Sequence, residues 1–312
     1  MFEELDSFLI DLAKQADLWY RPNPGNAGDS LIASATWSRF RSLGIQVKEI
    51  LSSDFDPTGK TILYGGGGNL NRRYVEASRF LRAYHSRASK VVLLPHSVEG
   101  HEDLLEAMGS NAVIFCRELV SLRHCQQHAK HAKVVLSHDL AIGHDPSPQP
   151  LPSTLDWTKL AILAGWNKVL DRKTEWLFPG ILLRVRKFLR SHPAIGPGGS
   201  QVRPFPILNA FRCDVESAGA PLPEGNLDLS EILTIRSHHR VAHETAAALL
   251  IASLRGYRRI RTDRLHICIA AAKLGLEVEF HPAAGFKCVA ILEHSLRQRF
   301  DNIQWMGEAV HS

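Results

Sequence analysis

The segment RRIRTDRLHICIAAAKLG, residues 258–275, changes from a strand pattern to a helix pattern within one short turn. Residues 258–261 indicate a short strand, and the apolar run 267–274 predicts a compact helix that a glycine ends. Thr262 or Asp263 can cap this helix, because short polar side chains accept hydrogen bonds from its first free N–H groups. The segment therefore predicts one strand–turn–helix unit of an α/β fold.

The turn of this unit carries two basic side chains, Arg264 and His266. An open helix N-terminus already has partial positive charge and free N–H groups. A guanidinium and an imidazole at that position disfavour the bare protein and favour a bound anion. An anionic substrate is therefore our first hypothesis for this protein.

Strand patterns alternate with helix patterns between residues 17 and 139. The strand patterns are DLWYRP, IQVKEI, TILY, KVVLLPHS, AVIFC and AKVVLS, and the helix patterns cover residues 29–43, 74–88, 101–109 and 117–127. This alternation indicates a parallel sheet with helices on both faces. The loops that follow its strands are then the expected place for the chemistry.

A proline-rich segment, residues 144–154 (HDPSPQPLPST), follows this sheet and is typical of an interdomain linker. Strand and helix patterns resume beyond it, at residues 205–211, 228–234, 237–254, 257–274, 276–282 and 285–297. We therefore predict an α/β protein of two Rossmann-like domains, residues 1–143 and 155–312, that face a central cleft. Substrates would bind where the strand ends meet.

Composition and charge restrict the class of protein. The chain has 312 residues, of which 45% are hydrophobic and 22% charged, which is typical of a globular protein. An acidic, amphipathic start without a secretion pattern predicts a cytoplasmic location. The net charge of +5 and the pI of about 9.0 suit anionic small molecules, anionic lipid or nucleic acid. Because no basic–aromatic stripe is present, we expect no nucleic-acid partner.

The cysteines argue against a disulfide framework or a zinc site. Their number is odd, no CxxC pair occurs, and they lie at positions 116, 125, 213, 268 and 288. This usage predicts reduced, mostly structural thiols and no metal site.

Two glycine-rich segments each follow a strand pattern. In residues 23–30 (NPGNAGDS), Asn26, Gly28 and Asp29 could form a ligand loop, or the segment could be a tight turn whose helix Asp29 or Ser30 caps. Residues 65–70 (GGGGNL) could admit close approach of a ligand to the backbone, or form an irregular loop. Neither segment completes a P-loop or a GxGxxG motif, so ATP and NAD have little support.

Further polar pairs lie at predicted strand ends. His96 and Arg117 would line the cleft, although a packed or ion-paired role explains each residue taken singly. In the second domain, alternation would direct Arg212, Asp214 and Glu216 to one side of an extended segment, and mutual ion pairing is the alternative. The pair His138-Asp139 ends the next strand pattern, and we expect it to be mainly structural. Lys287 lies near the start of the last helix pattern, where it either repeats the placement of a cation at a helix N-terminus or is a flexible exposed lysine.

Residues 176–190 (WLFPGILLRVRKFLR) combine aliphatic side chains with four basic ones. This composition predicts either a membrane-surface helix or a domain-packing helix with a solvated basic face.

Several of these motifs, in this order, resemble the polysaccharide pyruvyl transferase family, in particular its exopolysaccharide branch. They are NPGNAGDSLI (23–32), GGGGNL (65–70), LPHS (94–97), the Cys116–Ser121 segment, SHDLA (137–141), FRCDVES (211–217), TDRLH (262–266) and GFKCVAILEHSL (285–296). The resemblance implies a fold like that of GT-B glycosyltransferases. It also implies transfer of pyruvate from phosphoenolpyruvate to a saccharide or lipid-linked oligosaccharide as a cyclic ketal, without a cofactor.

The resemblance also implies roles for individual residues. We predict an N-terminal acceptor side and a C-terminal donor side, with the catalytic residues His266, Arg264 and Asp29. The sequence does not choose among Asp29, His96 and Glu216 as the group that activates an acceptor hydroxyl. The predicted donor-binding residues are Arg117, Arg264, Leu265, His266 and Lys287. The predicted acceptor-binding residues are Asn26, Gly28, Gly67, Asn69, His96, Arg212, Asp214 and Glu216.

Two other functions fit the same patterns. A GT-B glycosyltransferase with a nucleotide-sugar donor would use the same glycine loops, and a non-catalytic saccharide-binding protein would use the net charge. For the transferase we expect a cytoplasmic protein with peripheral contact to an anionic membrane, because a lipid-linked acceptor lies at that surface.

Overall fold

The computed structural model describes residues 1–52, 54–147, 205–235 and 237–308. Contacts between Cα atoms divide the chain into two compact units. The first unit comprises residues 1–25, 32–144 and 238–240, and the second comprises residues 26–31, 145–237 and 241–312. The predicted domain boundaries and the GT-B-like arrangement stay predictions. Most of the predicted linker, from residue 148, and all of residues 176–190 lie outside the described residues.

The first unit contains a seven-stranded parallel sheet. Its strands are β1 (Leu18–Arg21), β2 (Val47–Glu49), β3 (Thr61–Tyr64), β4 (Gly67–Leu70), β5 (Lys90–Val98), β6 (Ala112–Cys116) and β7 (Lys133–Leu136). They pair in the order β2-β1-β3-β5-β6-β7, and β4 also pairs with β5. The predicted parallel α/β sheet is therefore confirmed for this unit.

Helices connect these strands. They are α1 (Glu3–Gln15), α2 (Ala27–Ser42), α3 (Glu76–Tyr84), α4 (Glu102–Ala107) and α5 (Leu119–His128), followed by a 3-10 turn at Leu140–Gly143. All residues of β3 and β6 are buried, as expected for central strands of a sheet covered on both faces. Their apolar runs are the reason that the sequence pattern predicted them.

Residues 67–70 of the glycine-rich segment form strand β4, so the irregular loop considered as an alternative is wrong for these four residues. Strands β3 and β4 pair with successive parts of β5 and are separated by Gly65 and Gly66. A Cβ atom on Gly65 would lie 2.7 Å from the backbone nitrogen of Asn23, and one on Gly66 would lie 2.8 Å from the carbonyl oxygen of Pro95. The close approach that four glycines predicted is therefore made, at these two positions, by the protein's own backbone.

The second unit contains a four-stranded parallel sheet in the order β11-β10-β9-β8. Its strands are β8 (Phe205–Asn209), β9 (Tyr257–Thr262), β10 (Glu277–Phe280) and β11 (Ile303–Trp305). Its helices are α6 (Leu229–Ile232), α7 (Arg240–Leu254), α8 (Leu265–Lys273) and α9 (Lys287–Ile291), and α9 continues as a π-helical segment at Leu292–Leu296. The sequence pattern predicted this sheet except for β11.

The two faces of the second sheet differ in chemistry. One face presents buried apolar side chains such as Ile260 and Val278. The other face carries cross-strand ion pairs between β9 and β10, with Nε of Arg261 2.8 Å from Glu279 and NH2 of Arg259 2.7 Å from Glu277. This charged face is not the continuous apolar surface that parallel strands usually have.

Helix α8 begins at Leu265, earlier than the apolar run predicted. Its N-cap residue is Arg264, and no side chain caps the first turn, so the predicted caps Thr262 and Asp263 are wrong. The reason is that the Thr262 hydroxyl accepts a hydrogen bond from the N–H of Arg264, at 2.9 Å, rather than from a helical N–H. The basic side chains of the turn therefore lie at the very start of the helix.

All five cysteines are free, and four of them are buried. Among the described helices, none combines the length and apolar character that crossing a bilayer requires.

Candidate functional site

The segment before helix α2 forms a reciprocal cap. The Asn26 side chain accepts a hydrogen bond from the N–H of Gly28 at 2.8 Å, and the Asp29 carboxylate accepts one from the N–H of Asn26 at 3.0 Å. This exchange satisfies two N–H groups that a helix start leaves open. Because the helix begins at Ala27, Asn26 holds the cap position, and the predicted N-cap at Asp29 or Ser30 is wrong. Asp29 lies in the first turn of the helix, and its carboxylate bonds back to the N–H of Asn26.

Gly28 lies directly against His266. A Cβ atom on Gly28 would lie 2.6 Å from Nδ1 and 2.9 Å from Cβ of His266, closer than real Cβ atoms come. Both residues belong to the second unit, although 238 positions separate them in the chain. The structure therefore brings two predicted acceptor-side residues, Asn26 and Gly28, together with the predicted catalytic histidine, and Asp29 follows in the same turn.

A second histidine contacts the same turn. Nδ1 of His243, in helix α7, lies 3.2 Å from the hydroxyl oxygen of Ser30, and both residues are buried. Sequence reasoning missed this pair, because a single histidine in the apolar pattern of α7 gives no functional signal.

Arg264 is buried and bound by carboxylates. Its Nε lies 3.0 Å from Oδ1 of Asp228, its NH1 lies 2.8 Å from Oδ2 of Asp214, and its NH2 also contacts Asp228. Burial acts to lower the pKa of Arg264, but the bonds to Asp228 outweigh burial and raise it. The guanidinium stays charged, and protein carboxylates occupy its donors.

Arg212 continues this network. Its Nε donates to Asp214 at 2.8 Å and its NH2 donates to Glu216 at 2.6 Å, so the mutual ion pairing considered from the sequence is confirmed. Glu216 also accepts from Lys287, and Asp263 accepts from the N–H of Arg212 at 2.8 Å. We call these residues the Arg264 cluster, which consists of Arg212, Asp214, Glu216, Asp228, Asp263, Arg264 and Lys287.

The Arg264 cluster combines three basic side chains with four carboxyl groups. Burial acts to raise the pKa of Asp214. The hydrogen bond from Arg212 and the charges of Arg212 and Arg264 outweigh burial and lower this pKa to about 2. The charges of Lys287 and Arg212 likewise outweigh burial and lower the pKa of Glu216. Both carboxylates are ionised at neutral pH, so an anionic donor would have to compete with Asp214 for the guanidinium of Arg264.

Arg117, in the first unit, is also buried and ion-paired. Its NH1 lies 2.6 Å from Oδ2 of Asp139, and its Nε donates to the hydroxyl of Ser97 at 2.9 Å. Asp139 also accepts from the N–H of Ala141 at 2.9 Å, which starts the 3-10 turn. The structural role expected for Asp139 agrees with these contacts, and donor binding by Arg117 stays a prediction.

His96 lies in the interior of the first unit. Its Nε2 is 3.0 Å from the side-chain oxygen of Asn69, and its Nδ1 is 3.2 Å from the carbonyl oxygen of Gly65. Asn69 in turn donates to Asn23 at 2.8 Å, and Gly67 pairs with His96 in the register of β4 and β5. These predicted acceptor residues thus contact one another at the end of the glycine-rich segment.

The predicted residues therefore lie in separate groups within their units. Asn26, Gly28, Asp29 and His266 form one group, the Arg264 cluster forms the second, and Gly67, Asn69 and His96 form the third. Leu265, a predicted donor-binding residue, is buried between Arg264 and His266. Sequence reasoning missed Asp228, although a carboxylate just before a short helix pattern could have indicated a binding role.

The parallel sheets, with polar groups beyond the carboxyl ends of their strands, define an α/β protein consistent with a Rossmann-like fold. The chain is similar to the crystal structure of a functionally uncharacterized protein of Klebsiella pneumoniae subsp. pneumoniae NTUH-K2044, with a TM-score of 0.72, 23% sequence identity and coverage of 99% of each chain. At this identity the likeness shows the fold alone. No curated protein matches the chain.

The family model for polysaccharide pyruvyl transferases matches residues 26–278. The chain belongs to this family, and the resemblance seen in its motifs is confirmed. It is therefore a transferase with a role in pyruvyl transfer to polysaccharide. The matched range contains the capped turn at Asn26, His266 and every member of the Arg264 cluster except Lys287.

Proposed function

We propose that the protein transfers the pyruvyl group of phosphoenolpyruvate to two hydroxyl groups of one sugar, forming a cyclic ketal and releasing phosphate. The acceptor is a saccharide of a bacterial exopolysaccharide or its lipid-linked precursor. The observation that carries this proposal is the contact of Gly28 with His266. This contact gives an acid–base group a fixed position two residues after Arg264 in the chain. Arg264 belongs to a buried ionic cluster.

The reaction needs one proton at carbon and two leaving protons from the sugar. In the proposed sequence, His266 gives a proton to the methylene carbon of phosphoenolpyruvate, which leaves an oxocarbenium centre at the neighbouring carbon. One sugar hydroxyl adds to this centre, the bond to the phosphate oxygen breaks, and the second hydroxyl closes the ring. Of the two hydroxyl protons, one restores His266 and the other leaves with phosphate.

A base in the turn of Gly28 takes the proton of the first hydroxyl and passes it to the departing phosphate. We assign this role to Asp29, whose carboxylate belongs to the same helical turn as Gly28 and accepts a hydrogen bond from the N–H of Asn26. Glu216 is a second candidate, but its bonds to Lys287 and Arg212 favour an electrostatic role. Asp29→Asn should therefore slow turnover more than Glu216→Gln.

In the proposal, Arg264 binds the donor by exchanging a protein carboxylate for an anionic group of the donor. Its guanidinium is already desolvated, and it binds Asp228 and Asp214. A carboxylate or phosphate of phosphoenolpyruvate would take the place of one protein carboxylate, with the bidentate geometry that arginine favours. Leu265 and Lys287 flank this exchange in the proposal.

The test is phosphate release from phosphoenolpyruvate with a panel of lipid-linked oligosaccharides, with mass spectrometry of the sugar product. Wild type should release phosphate only when an acceptor is present and should give the mass of a ketal. His266→Gln should lose turnover, whereas His131→Ala, an exposed histidine in the first unit, should not. Equal turnover of His266→Gln and wild type would refute the proton-transfer role, and absence of donor binding and release would refute the proposed donor.

A further inference from the structure

The two carboxylates that contact Arg264 most closely hold it in different ways. Asp228 accepts hydrogen bonds from Nε, at 3.0 Å, and from NH2, so it takes two of the five N–H donors of the guanidinium side by side. Asp214 contacts a single nitrogen, with its Oδ2 2.8 Å from NH1. Glu231 lies farther away, 3.7 Å from NH2. Asp228 is therefore the bidentate partner of Arg264, and Asp214 is its single-point partner.

The two carboxylates also differ in exposure. The side chain of Asp214 is 23% exposed, whereas the side chains of Asp228 and Arg264 are 7% and 5% exposed. Asp228 also accepts a hydrogen bond from the N–H of Cys213 at 2.9 Å, which connects it to the segment after β8. Of the two carboxylates, Asp214 is thus the one that solvent reaches more readily.

Loss of Arg264 would have different consequences for the two carboxylates. Asp214 would keep a bidentate contact with Arg212, at 2.8 and 3.1 Å, and a hydrogen bond from the N–H of Glu216 at 3.0 Å. Asp228, within the part of the chain that the structure describes, would keep the hydrogen bond from the N–H of Cys213 alone. A buried carboxylate that loses its cation is strongly destabilising. Exchange at Asp214 therefore costs much less than exchange at Asp228.

We propose that an anionic group of the donor displaces Asp214 from NH1 of Arg264, while Asp228 keeps its two bonds and fixes the orientation of the guanidinium. This inference rests on the proposed function, which does not distinguish between the two carboxylates. After the exchange Asp214 stays bound to Arg212, so neither Asp214 nor Arg264 is left without a partner. Asp228 is then a positioning residue, and Asp214 sets the affinity for the donor.

The test is isothermal titration of the full chain with phosphoenolpyruvate and, separately, with inorganic phosphate. Asp214→Asn keeps an oxygen at the Oδ1 position, which can still accept from Nε of Arg212 and from the N–H of Glu216. It removes the charge that competes for NH1 of Arg264. We expect this variant to bind both anions about ten-fold more tightly than wild type, because close charge pairs in desolvated sites couple at least that strongly.

Asp228→Asn should have the opposite effect. It should bind phosphoenolpyruvate about ten-fold more weakly than wild type, because the guanidinium loses one of the two bonds that fix its orientation. In turnover measurements, Asp214→Asn should lower the KM for phosphoenolpyruvate, whereas Asp228→Asn should raise the KM and lower kcat. A merely structural defect would not move KM in opposite directions in the two variants.

Glu277→Gln is the matched control. It also removes one negative charge from the second unit, but Glu277 pairs with Arg259 on the charged face of the sheet, outside the Arg264 cluster. Its affinity for both anions should equal that of wild type. Thermal unfolding identifies misfolded variants, and Asp214→Ser is a second neutral variant that should show the same gain in affinity as Asp214→Asn.

The outcomes separate this inference from the proposed function. Equal affinity of wild type and the folded Asp214 variants, or a gain in affinity in Asp228→Asn alone, would overturn the assignment of the two carboxylates. Tighter binding of inorganic phosphate by Asp214→Asn, without binding of phosphoenolpyruvate to any variant, would support the exchange at Arg264 and refute the proposed donor. Binding of neither anion to any variant would overturn both.

Discussion

The contact between Gly28 and His266 makes Gly28→Ala the most informative substitution. Position 28 lies in the first turn of α2 and has no positive φ, so alanine would by itself favour the helix by about 0.5–1 kcal/mol. However, its Cβ would lie 2.6 Å from Nδ1 of His266, and these atoms must separate by about 0.8 Å to reach the 3.4 Å of an ordinary contact. The nearby Cβ of His266, at 2.9 Å, is fixed to helix α8 and cannot rotate away.

The gain in helix propensity and the cost of overpacking have opposite effects on stability. The displacement of His266 can only lower activity. Overpacking costs about 1–3 kcal/mol, so the net loss of stability should be about 0–2.5 kcal/mol. A displacement of roughly 1 Å in a reacting group can cost about 100-fold in rate. We therefore expect turnover of Gly28→Ala to fall by about 100-fold while the protein remains folded.

The assay pairs acceptor-dependent phosphate release with thermal unfolding, and the imidazole NMR signals of His266 report its environment directly. Gly143→Ala is the matched control, because a Cβ there would make only ordinary contacts of 3.4 Å or more. If Gly28→Ala kept wild-type turnover and an unchanged His266 signal, the assigned role of this contact would be refuted.

Three further predictions concern stability. Arg264→Ala should lower the free energy of unfolding in urea by about 3–5 kcal/mol, because it leaves the buried Asp228 carboxylate without its guanidinium. Adding Asp228→Ala should recover part of that loss. Equal stability of the single and double variants would contradict the pairing. The pKa of Asp214 is lowered from 3.8 to about 2, so this residue contributes stability that is present above pH 3.8 and lost as the pH falls toward 2. Over that pH range the urea midpoint of Asp214→Asn should drop less than that of wild type. An equal drop in both proteins would refute this. Gly66→Ala should lower the melting temperature, at a cost of about 1–3 kcal/mol in stability, because its Cβ would meet the carbonyl oxygen of Pro95 at 2.8 Å. An unchanged melting temperature would show that β4 and β5 can move apart.

The strands of both sheets were predictable where apolar runs are long. β3, β5 and β6 are buried along nearly their whole length, so their patterns identify them without structural knowledge. β4 is composed largely of residues that disfavour strands, and it forms because β5 extends past β3 and offers a second set of partners. β11 has three residues and, among the described strands, pairs with β10 alone, so tertiary contact rather than local pattern decides it.

The site residues were predictable as types and positions, but their partners were not. Helix geometry and the motifs indicated Arg264 and His266 as functional candidates. Asp228 lies 36 positions before Arg264, and Gly28 lies far earlier than His266 in the chain. Local rules contain no information on such pairs, because only the folded second unit brings them into contact.

The ionic cluster determines how the proposed donor could bind. A bare guanidinium in a buried site would be costly, and the carboxylates of Asp228 and Asp214 offset that cost in the protein without donor. Because the pKa of Asp214 is about 2, protonation cannot release Arg264 near neutral pH. The donor must therefore offer better geometry or more charge than a single aspartate, and phosphoenolpyruvate, with both a carboxylate and a phosphate, meets that condition. An anion with one weak charge would not, so the same carboxylates that stabilise Arg264 would also select the donor.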